Sequence, residues 1–77
     1  MTVLKYQMIE QGLNADSLSR KLLKEKNISV TGSSIRRYAE STTALRLASH
    51  ETVLAIAETL GVTIEKLFAD FDIIISE

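Results

Sequence analysis

The apolar positions of the chain fall into short helical stripes separated by small polar residues. Val3, Leu4, Tyr6, Met8 and Ile9 cluster within residues 3–11, and Gly12 follows where a helix end calls for a residue that turns left-handed without strain. Ala15, Leu18 and Leu22 recur at helical spacing behind Asn14, a good N-cap because its side-chain oxygen accepts from the free amides of the next turn. Asp16 in that turn suits the helix dipole, and Asn27 is placed to stop the second helix. Residues 28–30 are too few for more than a turn or one extended step. Thr31 caps a third segment, 32–41, in which Ile35, Tyr38 and Ala39 form one apolar stripe.

Ser41, Thr42 and Thr43 read as a loop, and residues 44–48 add a helical turn. Ser49 caps the clearest helix, 50–60, with Val53, Ile56, Ala57 and Leu60 on one face, Leu54 beside it and Gly61 as its stop. Thr63 caps a last helix from Ile64 to about Asp70, where Ile64, Leu67 and Phe68 repeat the stripe. Residues 71–77 change character: Ile73, Ile74 and Ile75 are β-branched and stiff at χ1, which favours an extended strand. The pattern predicts an all-α fold, a five-helix bundle over residues 1–70, with a short C-terminal strand in 71–77.

Composition narrows the function classes. A chain of 77 residues makes one domain with a small core, which a second copy would help to stabilise. It has no cysteine, so disulfides, thiolate metal sites and a thiol nucleophile are excluded together, as suits a reducing compartment such as the cytoplasm. No apolar run approaches the roughly 18 residues of a membrane span, and residues 1–12 lack an apolar signal core. His50 has no cysteine or second histidine with which to share a metal, and Asp70 and Asp72 lie near a chain end with nothing to bury them and raise a pKa. Three scattered glycines make no phosphate loop. The expectation is no catalysis, no metal, no cofactor, no membrane and no small-molecule substrate.

Charge first argues against a nucleic-acid partner, since the formal total is −1. Divided along the chain, however, residues 1–46 carry +4 and residues 47–77 carry −5. Such asymmetry fits either a nucleic-acid face at one end or ordinary solvated helix faces. The third segment adds chemistry to the first alternative. Opposite its apolar stripe lie Ser33, Arg36, Arg37 and Glu40, at i, i+3, i+4 and i+7. An arginine bonds guanine bidentately or clamps a phosphate, and a serine donates or accepts at either.

These capped short helices with a basic third member resemble the helix-turn-helix regulators of the phage repressor and Cro type. SHETVLAIAETLGVTIEKLF (49–68) looks like the family's fourth and fifth helices, and Leu18 with Leu22, followed by VTGSSIRRY (30–38), resembles the helix-turn-helix itself. The resemblance spans residues 3–70 and is more specific for fold than for function. It implies sequence-specific binding of double-stranded DNA, with the third helix in the major groove, and transcriptional regulation, as a repressor by preference. Carried over position by position, the family's base-reading and backbone-contacting places fall on Gly32, Ser33, Arg36 and Arg37, with Thr31 as cap and phosphate contact. Asn14 is a cap that also reaches phosphate. Gly32 would let the sugar-phosphate chain approach closely, and Arg20, Lys21, Lys24 and Lys26 would supply general field.

Three departures from the family pattern stand out. Ala15 occupies the place where the family usually has a glutamine in reach of DNA. The stretch after Leu22 is about six residues longer, 23–28, so the second helix is extended or the turn is a loop, and a few residues are added in 42–48. The missing glutamine and the acidic second half motivate a rival, a protein-interaction module such as an antirepressor or adaptor that keeps the fold without binding DNA. A homodimer is expected through Phe71, Ile73, Ile74 and Ile75, because an isoleucine run at a chain end exposes an unpaired strand edge unless it pairs with a twin. The alternative is that the isoleucines fold back over the fourth and fifth helices.

Overall fold

In the computed structural model, which describes residues 2–69, the chain forms six helices: α1 Val3–Glu10, α2 Ala15–Lys26, α3 Gly32–Glu40, α4 Thr42–Arg46, α5 His50–Leu60 and α6 Ile64–Leu67. The all-α expectation holds, with six helices among the described residues: the five expected and α4, which begins two residues before the helical turn expected at 44–48 and ends at Arg46. Ser41, Thr42 and Thr43 are not a loop, because Ser41 both ends α3 and caps α4, its side chain accepting from the amide of Ala44. The last helix stops at Leu67, with Phe68 as its cap, short of the expected end near Asp70. The C-terminal strand, and with it Phe71, Ile73, Ile74 and Ile75, lies outside the described residues.

Local chemistry sets every boundary. Thr2, Asn14, Thr31, Ser41, Ser49 and Thr63 each cap a helix, and in each case the side-chain oxygen accepts from the amide three residues on. Each cap satisfies one of the amides a helix start leaves without a partner and contributes about 1 kcal/mol. The ends are equally defined. Gly12 and Gly61 stand at positive φ, and each heads a Schellman closure: Leu13 N donates to Met8 O and Gly12 N to Ile9 O, while Val62 N donates to Ala57 O and Gly61 N to Glu58 O. Asn27, at φ 55°, ends α2 in the same left-handed conformation, which asparagine tolerates better than other side chains. The long stretch after Leu22 is thus resolved as extra helix, not loop: α2 continues to Lys26, and 27–31 make the turn into α3.

All six helices contribute to one core. Val3 and Leu4 from α1, Leu18 and Leu22 from α2, Ile35 from α3, Leu45 from α4, Ile56 from α5 and Leu67 from α6 are its largest fully buried side chains. No polar or charged residue is buried among the described residues, so burial of apolar area, not a polar network, drives the packing.

Side-chain bonds pin the helices at their ends. Thr2 Oγ1 donates to Ala39 O, tying the start of α1 to the last turn of α3, and Gln11 Nε2 donates to Leu60 O, tying the ends of α1 and α5. Ser19 Oγ donates to Val30 O and holds the turn before α3 against α2. Lys26 Nζ lies 3.2 Å from Glu58 Oε1 and links α2 to α5, but both side chains are partly exposed, so the pair contributes at most about 1 kcal/mol.

Candidate nucleic-acid interface

α3 is anchored by the stripe read from the sequence. Ile35 and Ala39 are buried and Tyr38 is half-buried, which leaves Ser33, Arg36, Arg37 and Glu40 exposed on the opposite side. Among the described residues neither arginine is drawn into an ion pair. The two line different clefts, however. Arg36 lines a cleft of about 240 Å³ between α1, the start of α2 and α3, which it shares with Lys5, Asn14 and Glu40 over buried Met8, Ala15 and Ala39. Arg37 lines a second cleft of about 280 Å³ on the α4 side, together with Tyr38, Ala44, Leu47 and Ala48.

The starts of α2 and α3 lie side by side. A Cβ placed on Gly32 would come 3.7 Å from the backbone nitrogen of Asp16 and would overlap Asp16 Oδ1. The space above Gly32 is therefore occupied by a side chain of this chain, which gives the glycine an internal role. Asn14 and Arg36 are brought to one cleft, Gly32 and Ser33 to the neighbouring turn, and Arg37 to the α4 side of that face.

The two caps differ in what they leave available. Asn14 Oδ1 accepts from Ser17 N at 2.7 Å, which leaves its amide NH₂ pointing outward as a donor. Thr31 Oγ1 accepts from Ser34 N and donates to Ser34 Oγ at 3.0 Å, so its hydroxyl proton is already in use within α3. Of the six expected contact residues, Thr31 is the most committed to its own helix.

Several neighbours of the face were not legible in the sequence. Lys5 comes from α1 to the same cleft as Arg36, and Asp16 reaches across to α3. Leu47, at 84% exposure, stands bare beside Arg37. Ala15, in the place of the family's glutamine, is only 8% exposed and forms part of the cleft wall next to Arg36. The local charge is more balanced than +4 suggests, because Lys5, Arg36 and Arg37 share the region with Asp16 and Glu40. Two further cations of the basic half are engaged elsewhere: Lys26 with Glu58, and Arg46 over the ring of Phe68, 5.5 Å from its centroid, while its guanidinium donates to Phe68 O.

No protein-family model, curated protein or solved structure matches the chain.

His50 is the exposed first residue of α5, and among the described residues no group of three or more histidine, cysteine, aspartate or glutamate side chains is placed to hold a metal. On the outer side of α1, Tyr6 donates to Glu10 Oε1 at 2.8 Å; this bond, and then the carboxylate's charge, raise the phenol's pKa above its usual value. The phenol thus stays protonated through neutral pH. No described helix is long and apolar enough to cross a membrane.

Proposed function

We propose that the chain binds double-stranded DNA sequence-specifically in the cytoplasm, with α3 in the major groove, and regulates transcription by occupying an operator, most simply as a repressor. The observation that carries this reading is the exposed side of α3, where Ser33, Arg36 and Arg37 project from a helix pinned by its caps, its apolar stripe and the Thr2 bond to Ala39, with the turn before it held by Ser19. A rigid helix of this size fits the major groove, and its first turn stands beside the start of α2, from which Asn14 offers a free amide toward the flanking phosphate. No catalytic role, cofactor or small-molecule substrate enters this reading.

Binding to random duplex DNA at low salt is the direct test. Each phosphate neutralised contributes about −0.9 to the slope of log affinity against log salt, so binding should be measurable at low salt and fall steeply as salt is added. A folded protein that fails to bind at low salt overturns the reading. In that event the second reading takes over, a protein-interaction module, for which bare Leu47 beside Arg37 and the missing glutamine at Ala15 are the favouring observations.

The proposed protein acts as a homodimer, pairing through Phe71, Ile73, Ile74 and Ile75, so that two copies of α3 meet half-sites about 34 Å apart. Sedimentation of a chain ending at Asp70 should show a monomer where the full chain shows a dimer. Equal dimerisation of the two would rule out pairing through this segment.

A further inference from the structure

We propose that Asp16 is a specificity-determining residue of the α3 face, selecting a cytosine amino group opposite the start of that helix; this rests on the DNA-binding reading above. Asp16 Oδ1 fills the notch left by Gly32, where a Cβ would overlap it, so the carboxylate of α2 is held over the first turn of α3. The residue is exposed, and among the described residues no hydrogen bond or ion pair engages its carboxylate. Asn14, two residues before it in the chain, and Ser33, one residue beyond the glycine it covers, belong to the same two helix starts.

An ionised carboxylate only accepts hydrogen bonds. Guanine offers N7 and O6 acceptors in the major groove, and thymine an O4 acceptor and a methyl group, so both are disfavoured opposite Asp16. Adenine offers an N6 donor with an N7 acceptor beside it, an edge that an amide side chain matches and a carboxylate does not. Cytosine offers its N4 donor without a neighbouring acceptor, and is the base a carboxylate suits. The same charge disfavours a phosphate at this point, so Asp16 discriminates against misplaced duplexes as well as wrong bases. Gly32 is part of the device, because any larger residue displaces the carboxylate.

Selection from a random duplex pool with the full chain, Asp16→Asn and Asp16→Ala tests the assignment. Asparagine keeps the shape and replaces the charge with an amide; alanine removes the acceptor altogether, and carries the test if the first variant fails to fold. The unaltered protein is expected to prefer a C·G pair at one position of each half-site by on the order of tenfold over other pairs. Both variants should lose that preference while keeping those at the other positions. Identical preferences in all three proteins would overturn the assignment and leave DNA binding intact, whereas no duplex bound by the unaltered protein would overturn the DNA-binding reading itself.

Discussion

Alanine at Arg36 or at Arg37 is expected to weaken binding to the selected operator by about 1–3 kcal/mol each, roughly five- to 150-fold, with no change in thermal stability. Stability should hold because both side chains are exposed and neither is engaged in an ion pair among the described residues. The two losses should differ in kind. Arg36 shares its cleft with Asn14 and Lys5, whereas Arg37 faces the α4 side with Tyr38 and Leu47, so on the proposed reading they would approach different parts of a duplex. Arg36→Lys and Arg37→Lys separate the roles, since lysine keeps the charge but loses the bidentate fork. A base-reading arginine loses preference at one position when changed to lysine. A phosphate-clamping one retains most of its affinity, and its alanine variant lowers the salt slope by about 1 without altering sequence preference. The prediction fails if both alanine variants bind the selected sequence as the parent does. Fluorescence anisotropy over a salt series on matched and scrambled duplexes reads both quantities.

Most of the fold was legible because it is encoded locally. Asn14, Thr31, Ser49 and Thr63 announce helix starts through chemistry that operates within three residues, and Gly12, Asn27 and Gly61 announce ends through backbone freedom at one position. The stripe of Ile35, Tyr38 and Ala39 fixed which side of α3 is outward, and hence which of its residues are candidates. What escaped was of two kinds. Thr42–Arg46 is too short to carry a periodic signal, and Ser41 serves as the end of one helix and the cap of the next, so two boundaries collapse onto one residue. The contacts of Asp16 with Gly32 and of Lys5 with the Arg36 cleft depend on how three helices lean together, which no window of one helix contains. The +4 of residues 1–46 overstates the charge near α3 for the same reason, because Lys26 and Arg46 count as basic in the sequence but are engaged by Glu58 and Phe68 in the fold.

The extension of α2 can be probed through two adjacent residues. Leu22 is fully buried and Leu23 is 53% exposed, although both are leucines in the same helix turn. Leu22→Ala removes core volume that neighbouring helices cannot wholly refill, and is expected to cost about 2–5 kcal/mol. A chain of 77 residues at roughly 0.05–0.15 kcal/mol per residue has about 4–12 kcal/mol in all, so that loss takes a large part of the stability and can unfold the protein at physiological temperature. Leu23→Ala, by contrast, should fall within about 1 kcal/mol of the parent, because about half of its surface stays in water on folding. Urea unfolding followed by circular dichroism distinguishes the two through their midpoints at similar m-values. Equal costs for the two leucines would mean that α2 does not keep its register to Lys26. Because Ser19 and Leu22 hold the turn and the core on which α3 rests, a register error there would also move Asp16, Gly32 and Arg36 relative to one another. The destabilised Leu22→Ala variant should therefore lose apparent duplex affinity in proportion to its unfolded fraction, yet reach full occupancy when the operator is added in excess, since a ligand that binds only the folded state stabilises it by mass action.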